Sequence, residues 1–198
     1  MKEKSYLSRK EQAVFTKKKI FDTTVLLMKK KGYSKITIRE ICQNAEISVG
    51  TFYLYFLSKD DILLDIYNRL LQSLPETFGP EEDASLPRRA VGRIDWLLGQ
   101  LESFDKDLLQ EIYRINLSVS RDALLDEESP LYQSLVELFA SRPAQDGAYA
   151  AEAAQLARRT VIFAQGYVLH WLVEECQDFD QMRRDCLQEL ERYLSLYC

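Results

Sequence analysis

The chain is poor in the residues that build metal sites, phosphate loops and nucleophilic active sites. Its 198 residues include 1 His, 4 Cys, 7 Gly and 5 Pro. The cysteines form no CxxC pair and have only His170 as a possible imidazole partner, so a zinc site is not expected. We also find no Gly-rich phosphate loop and no nucleophile motif. We therefore expect no enzyme, no metal and no resident cofactor.

The cysteines also argue against a disulfide scaffold. They stand far apart, at Cys42, Cys176, Cys186 and Cys198, and reduced thiols fit this spacing best. Cys176 and Cys186 flank a predicted turn between two helices and could sense oxidation. We favour the simpler interpretation, in which they pack in a core or an interface.

Long apolar runs are missing as well. No run approaches the roughly 18 residues that span a bilayer, and the charged opening MKEKSYLSRKEQ lacks the apolar centre of a signal peptide. We expect a cytoplasmic protein without a membrane partner. Because hydrophobic residues make up 46% of the chain and Gly and Pro are scarce, it should form one or two globular domains.

The two parts of the chain carry opposite net charges, because acids are few in the first part and outnumber bases in the second. Residues 1–60 contain 13 Lys and Arg but only 6 Asp and Glu, a balance of +7, whereas the remainder contains 13 and 25, a balance of −12. Eleven of the twelve lysines lie at or before Lys59, in part as the triplets 17–19 and 29–31. Such clustering suits attraction to nucleic-acid phosphates, although a solubilising helix face would also explain the triplets.

The periodicity of apolar residues predicts helices and no strands. Ser8 and Glu11 form a capping box for a first helix that ends at Gly32. Its predicted inward residues include Phe15, Ile20, Val25, Leu27 and Met28. Later helices are predicted around 58–71, 96–101, 108–117, 131–139, 150–173 and 182–196. Their predicted breaks are a linker with Pro75, Gly79, Pro80 and Pro87, then Asp105, Ser129-Pro130, Pro143 to Gly147, and Asp178.

Residues 37–63 have the layout of a helix-turn-helix. Thr37 and Glu40 stand at capping-box spacing before a short helix, which is followed by a turn through residues 45–47. Ser48 can cap a second helix, in which Phe52 and Phe56 lie four residues apart and can anchor one face to a core. The second helix is the predicted recognition helix.

These residues resemble the amino-terminal domain of the TetR family of transcription regulators. The residues that fit the family's pattern are Gly32, Thr37, Ile41, Ala45, Ser48, Gly50-Thr51, Tyr53, Tyr55-Phe56, Ser58-Lys59 and Leu63. Two positions depart from it. Glu46 stands where family members usually have Gly, so a left-handed turn there would cost about 1 kcal/mol or the turn would differ. Ile36 replaces the first Thr of a frequent pair, which removes one hydroxyl.

The resemblance implies an all-α protein with a DNA-binding domain at 1–57 and a helical effector-binding and dimerisation domain at 58–198. Carried over by position, Arg39, Val49, Thr51 and Tyr53 approach base edges. Thr37, Ser48, Tyr55 and Lys59 chiefly contact the DNA backbone. The implied partners are a near-palindromic DNA operator and a second copy of the chain, and the implied function is that of a repressor released by a small molecule.

Two further sets of residues are predicted from helical stripes. Met182, Cys186, Leu190, Tyr193, Leu194 and Tyr197 form an apolar stripe that could pair two subunits, or equally could pack inside one chain. Trp96, Tyr113, Phe163, Tyr167, His170 and Trp171 offer large apolar surfaces with a few polar atoms, which suits a small apolar or aromatic effector. Ordinary core packing is the simpler explanation for any one of them.

A regulator that responds to another protein, or that shapes DNA, is the main alternative. It would have the same amino-terminal module but no small-molecule pocket. An enclosed cavity in the second domain would favour the effector, whereas a filled core would favour the alternative.

Overall fold

The structure is a computed structural model that describes residues 8–75, 78, 84–118, 126–141, 149–175 and 178–197. Every regular element in these ranges is helical, so the all-α prediction is confirmed. The helices are α1 (Arg9–Lys31), α2 (Ile38–Asn44), α3 (Val49–Tyr53), α4 (Lys59–Leu71), α5 (Leu86–Leu101), α6 (Lys106–Ser118), α7 (Pro130–Ala140), α8 (Tyr149–Val173) and α9 (Phe179–Ser195), with a 3₁₀ turn at Tyr33–Lys35. Within the described residues, no helix is both long enough and apolar enough to cross a membrane.

The chain forms two compact units, Met1–Ile66 and Tyr67–Cys198. The boundary between them falls within α4, which begins in the first unit and ends in the second. The sequence had placed the domain boundary earlier, after residue 57, where the recognition helix ends.

Helix α1 begins at the predicted capping box. The Ser8 hydroxyl accepts a hydrogen bond from the Glu11 backbone N–H at 3.3 Å, and the Glu11 carboxylate accepts one from the Ser8 N–H at 2.7 Å. These hydrogen bonds lower the pKa of Glu11. At the other end, Gly32 takes a φ of 80° and donates its N–H to the Met28 carbonyl. Both predicted ends of the helix are confirmed.

The buried face of α1 is shorter than the sequence predicted. Ile20, Leu27 and Met28 are buried, but Phe15 is 56% exposed, so its predicted inward position is wrong. The helices that pack beside α1 are much shorter than α1 itself, and its buried residues begin only at Ile20. The first turns of α1 therefore have little within the unit to pack against.

Phe52 and Phe56 anchor the recognition helix, as predicted. Phe52 is fully buried and Phe56 nearly so, with their ring centroids 6.0 Å apart. Ile41 and Ala45 of the α2 region are also buried in this unit. The two short helices α2 and α3 therefore pack against each other through buried side chains.

The turn between α2 and α3 keeps a left-handed residue despite lacking the family's glycine. Glu46 has a φ of 52°, so the turn does not rearrange to avoid this conformation. Its carboxylate lies 2.9 Å from the Lys19 ammonium, and this contact lowers the pKa of Glu46. The other departure, Ile36 in place of Thr, fits its surroundings because the side chain is buried. Thr37 alone caps α2.

The second unit is built around the packing of α7 on α8, of α5 on α9 and α7, and of α8 on α6 and α9. Its helices begin at the predicted breaks. Asp105 and Ser129 accept hydrogen bonds from backbone N–H groups at the starts of α6 and α7, and Asp178 precedes α9. Pro87 does not interrupt a helix but lies in the first turn of α5, where its missing N–H costs nothing. Gly79, Pro80 and the break at Pro143 to Gly147 lie outside the described residues.

Ion pairs hold α9 against α5. The Arg183 guanidinium lies 2.7 Å from the Asp95 carboxylate and 3.1 Å from that of Glu102. The hydrogen bond to Asp95 raises the pKa of Arg183. The inward face of α9 is the buried stripe that includes Met182, and Arg183 lies at its edge.

The strain at Glu46 generates the first prediction. Glu46→Gly should raise the melting temperature, because glycine adopts a positive φ without the steric cost that other residues bear. Glu46→Ala keeps the strained conformation and loses the contact with Lys19, so it should lower the melting temperature slightly. Thermal unfolding followed by circular dichroism compares the two; an equal or lower value for the glycine variant would contradict a strained turn.

Candidate nucleic-acid interface

Two capped helices make up the predicted reading surface. The Thr37 hydroxyl accepts a hydrogen bond from the Glu40 N–H at the start of α2, and the Glu40 carboxylate pairs with Lys31. The Ser48 hydroxyl accepts one from the Thr51 N–H at 2.9 Å, and the two side-chain oxygens lie 2.8 Å apart. These bonds satisfy backbone donors that the helix leaves unpaired, so each short helix has a defined first residue.

None of the eight predicted DNA-contacting residues is buried. Thr37, Arg39, Ser48, Val49 and Tyr53 are exposed, and Thr51, Tyr55 and Lys59 are partly so. Val49 is 42% exposed and Tyr53 is 51% exposed. These two large side chains show that one face of the five-residue helix α3 is uncovered. The burial of Phe52 between them leaves α3 with one covered and one uncovered face. An uncovered face that mixes a hydroxyl, a methyl group and an aromatic ring is suited to contact base edges.

Gly50 lies exposed in the first turn of α3. A Cβ placed there would meet only the Ser48 hydroxyl, at 3.7 Å. Nothing inside the protein therefore requires glycine at this position. A smooth backbone at the start of a recognition helix would instead allow close approach to a DNA strand.

Lys59, predicted to hold a phosphate, is also bound within the protein. Its ammonium donates to the backbone carbonyls of Tyr33 at 3.1 Å and Ile36 at 3.3 Å, and lies 4.3 Å from the centroid of the Tyr33 ring. The Tyr33 hydroxyl in turn bonds the Asp60 carboxylate. A lysine has three N–H donors, so one remains for a phosphate. We call Tyr33, Ile36, Lys59 and Asp60 the α4 clamp.

The sequence did not reveal the α4 clamp. Each of its contacts joins residues more than twenty positions apart along the chain, and no helical spacing connects Tyr33 or Ile36 with α4. The one local signal is that Tyr33 follows the helix-ending Gly32, which places an aromatic ring at the start of the next segment. The clamp fixes the first turn of α4 to the 3₁₀ turn that precedes α2.

The lysine triplets are less free than their clustering indicated. Lys18 pairs with Asp22 at 2.6 Å, Lys19 with Glu46, and Lys31 with Glu40. Lys17 lies 5.4 Å from the centroid of the Phe56 ring. Exposed pairs of this kind contribute little stability, so phosphates could replace the carboxylates at small cost. The basic balance of residues 1–60 therefore still indicates an anionic partner.

In the second unit, the predicted dimer stripe is largely internal. Met182, Cys186, Leu190 and Leu194 are fully buried within the single chain, so their prediction as an intersubunit surface is wrong. Their four-residue spacing marks the face of α9 that packs on α5 and α8. Tyr193 is half-buried and Tyr197 is exposed, so only these two members reach the surface.

Of the six predicted effector residues, three share one groove among the described residues. Phe163, Tyr167 and His170 join Ile162 and Gly166 in an open groove of about 450 Å³ on α8. Of the remaining three, Tyr113 is buried against Gln165, Trp171 packs edge-on against Phe179, and Trp96 packs edge-on against Phe78. Trp171 is separated from the groove because the border between the inner and outer faces of α8 passes between the exposed His170 and the buried Trp171.

A second, smaller and less open cavity lies beside Gln165. It measures about 20 Å³, which is room for one water molecule. Its lining residues are Leu71, Leu97, Asp126, Ser129, Leu131, Tyr132, Val161 and Gln165.

The described cysteines are packing residues. Burial raises the pKa of Cys42, and raises that of Cys186 to about 12, so neither forms a reactive thiolate near neutral pH. Cys186 lies inside α9 rather than beside the turn, contrary to the prediction. Cys176 and Cys198 lie outside the described residues. Within the described residues, no three His, Cys, Asp or Glu side chains are grouped to hold a metal ion.

Comparison with known proteins identifies the amino-terminal module. The family model of "Bacterial regulatory proteins, tetR family" matches residues 20–66. The transcriptional repressor KstR of Mycobacterium tuberculosis is 24% identical over 175 residues, which are 85% of this chain and 76% of that protein. The uncharacterized regulator YuxN of Bacillus subtilis is 41% identical over 51 residues, which are 26% of this chain and 18% of YuxN.

Among solved structures, the chain is similar in fold to Thermus thermophilus FadR, a TetR-family repressor in complex with lauroyl-CoA. The TM-score is 0.64 and the identity 23%, over 88% of this chain and 92% of that one. The first unit is basic, and its two capped helices α2 and α3 form a helix-turn-helix that this family model matches. These features are those of a DNA-binding regulator of transcription. The amino-terminal module of this chain thus matches the tetR family model, and the chain is similar over most of its length to the repressor KstR.

Gly50 generates the second prediction. Gly50→Ala should fold and gain thermal stability, because alanine favours a helix by up to about 1 kcal/mol and its methyl group meets only an ordinary contact. DNA affinity should nevertheless fall, because the methyl group lies where the backbone approaches the DNA.

Gly92→Ala is the matched control, since Gly92 also lies in a helix and its added Cβ meets nothing closer than 3.9 Å. Melting curves and fluorescence anisotropy on labelled duplex DNA compare the two variants. If Gly50→Ala binds DNA as well as Gly92→Ala does, the close-approach role of Gly50 is wrong.

Lys59 generates the third prediction. Lys59→Met should lower the melting temperature, because the Tyr33 and Ile36 carbonyls lose a donor. It should also reduce the slope of log affinity against log salt concentration by about 1, as expected when one phosphate contact is lost. Lys59→Arg keeps the charge and should keep the slope. An unchanged slope in Lys59→Met would leave Lys59 with the clamp role alone.

Proposed function

We propose that the chain is a homodimeric repressor that binds a near-palindromic DNA operator and leaves it when a small molecule binds. The observation that carries the DNA-reading part is the exposed face of α3, where Val49, Gly50 and Tyr53 are uncovered while Phe52 is fully buried. On this proposal Arg39, Val49, Thr51 and Tyr53 contact bases, and Thr37, Ser48, Tyr55 and Lys59 contact the backbone.

The outer face of α8 supports the proposed dimer. Ile162 is 50% exposed and Val173 is 73% exposed, and Leu169 is exposed beside them. The ring of Phe163 stacks on that of Tyr193 at 5.8 Å, so α8 and α9 contribute to one apolar strip. An exposed apolar strip of this kind is typical of a surface that a partner covers.

A second copy of the chain is the partner that fits this strip. Gly166 is exposed at its centre and a Cβ there would meet nothing within 4 Å, so a helix from a partner can approach closely. In a two-fold dimer the same strip is used by both copies, so a self-complementary apolar surface suffices. Two recognition helices about 34 Å apart would then meet successive major grooves.

The fourth prediction tests this dimer. Ile162→Glu should make the chain monomeric, because it places a charge in the apolar strip, and should weaken binding to a duplex with two inverted half-sites at least tenfold. Leu117→Glu is the matched control, since Leu117 is 74% exposed on α6 rather than on α8. Sedimentation equilibrium gives the mass and anisotropy gives the affinity. A dimeric Ile162→Glu variant that binds DNA normally would refute this interface.

We further propose that α4 carries the signal. It starts at the Ser58 cap, where the Asp61 N–H donates to the Ser58 hydroxyl at 3.1 Å, and it continues without a break to Leu71 in the second unit. The α4 clamp would make the first unit follow any movement of the helix. An effector can drive that movement only if it binds two conformations with different affinities.

The small cavity beside Gln165 favours, for its own part of the described residues, the alternative regulator without a small-molecule ligand. Its volume of about 20 Å³ is far below the roughly 300–1,000 Å³ of ordinary ligand sites. An effector that binds there would have to select a conformation in which this cavity is larger. The two functions are distinguished by measuring the affinity of a small molecule with and without operator DNA. An effector must bind with a different affinity when the DNA is present, whereas a protein-responsive regulator has no such ligand.

A further inference from the structure

The two helices of the helix-turn-helix differ in the chemistry of their side chains. Over residues 37–57, the charged and amide side chains lie on α2 or in the turn, and they are Arg39, Glu40, Gln43, Asn44 and Glu46. Helix α3 carries a valine, a glycine, a threonine, a phenylalanine and a tyrosine. The recognition helix therefore presents methyl groups, an aromatic ring and hydroxyls, but no amide, guanidinium or carboxylate.

This composition limits how α3 can distinguish base pairs. The strong direct contacts in the major groove are bidentate, from arginine or lysine to guanine and from asparagine or glutamine to adenine. The side chains of α3 can form neither of them. A bidentate contact with guanine is instead available from Arg39, which is exposed on α2. We therefore expect the hydrogen-bonded recognition of bases to come mainly from α2.

The hydroxyls of the α3 surface discriminate poorly between bases. The Ser48 and Thr51 hydroxyls lie 2.8 Å apart and bond each other, and the Ser48 oxygen also accepts the Thr51 N–H at 2.9 Å. The Tyr53 hydroxyl can donate or accept a hydrogen bond, so it fits a donor or an acceptor on a base edge. These hydroxyls can bind DNA, but they identify a particular base weakly.

Val49 is the aliphatic side chain on the exposed face of α3. It is 42% exposed, whereas Phe52 on the opposite face is fully buried. The next residue, Gly50, is also exposed and has no side chain that would hold DNA away from the first turn of the helix. In a helix-turn-helix, the residues near the start of the recognition helix contact base edges. Val49 can therefore bring its methyl groups to a base edge.

We propose that Val49 recognises the 5-methyl group of a thymine in each operator half-site. This methyl is the apolar group that a base presents in the major groove, so it is the feature that an aliphatic side chain can select. Contact removes apolar surface of both groups from water, which favours thymine over a base without the methyl. The inference rests on the operator-binding function proposed above and states what α3 contributes to it.

The fifth prediction uses uracil, which differs from thymine only in lacking the 5-methyl group. A duplex is selected from a random pool with the full chain, and each thymine is then replaced by uracil at equivalent positions of both half-sites. At one thymine position, the affinity of the parent chain should fall about fourfold for each half-site, or roughly 15-fold in all, because one methyl group loses its apolar contact. Fluorescence anisotropy on labelled duplexes measures the affinity.

Val49→Ala should remove this preference. Its affinities for the thymine and uracil duplexes should be nearly equal at that position, because the valine methyl groups are gone. Val14→Ala is the matched control, since Val14 is 65% exposed on α1, outside the helix-turn-helix, and should keep the full ratio of affinities. Thr51→Ser removes a methyl group but keeps the hydroxyl that bonds Ser48, so it should keep the ratio as well.

A second pair of duplexes separates the methyl group from the rest of the base pair. At the sensitive position, thymine is replaced by 5-methylcytosine or by cytosine, each paired with guanine. The parent chain should bind the methylated duplex more tightly, by about the factor found for thymine over uracil, whereas Val49→Ala should bind the two equally.

The proposal is overturned if the selected half-site has no thymine that is sensitive to uracil, if the preference persists in Val49→Ala, or if Thr51→Ser abolishes it. The uracil scan of the parent chain decides the first outcome without any variant. A selection that yields no bound duplex would refute the proposed operator binding itself. A selected operator without thymine sensitivity would refute the role of Val49 alone.

Discussion

The burial of Phe52 is the contact on which the DNA-reading surface depends. A helix of five residues is too short to be stable alone, because the cost of forming the first turn is not repaid by so few hydrogen bonds. The Ser48 cap defines where α3 begins, and the fully buried Phe52 holds it against the core. Val49, Gly50 and Tyr53 can remain exposed because Phe52, with the nearly buried Phe56 just after the helix, attaches α3 to the core.

The same division between an attaching face and an exposed face recurs in the second unit. The inner face of α8 is buried with the stripe of α9, whereas its outer face presents Ile162, Gly166 and Val173. An exposed apolar face destabilises an isolated chain in water relative to one that covers it. In our account, a second copy of the chain provides this cover and thereby sets the spacing between two DNA-reading surfaces.

The features that depend on neighbouring residues could be predicted from the sequence. The capping box at Ser8, the cap at Ser48 and the helix start at Ser129 each need only three or four residues. Phe52 and Phe56 were assigned to the core because their four-residue spacing puts them on one face. Glu46 showed a limit of this approach: the sequence could not tell whether the turn would rearrange, because the answer depends on packing and on the distant Lys19.

The features that depend on distant residues could not be predicted. Helical spacing located the stripe on α9 correctly but could not tell whether a neighbouring helix or a second chain covers it, because both produce the same pattern. The contacts of Lys59 with Tyr33 and of Tyr113 with Gln165 join distant segments, and no local signal marks them. The second unit was therefore predicted less well than the first, since its predicted sites rested on such long-range packing.

The central claim is that two copies of α3 read one operator, and a hydroxyl-radical footprint tests it most directly. A duplex is first selected from a random pool with the purified full chain, and the protection of each strand is then mapped at a concentration that saturates binding. Our account predicts two protected regions on one side of the duplex, about one helical turn apart and related by two-fold symmetry. A single protected region, or two regions in direct rather than inverted repeat, would contradict it.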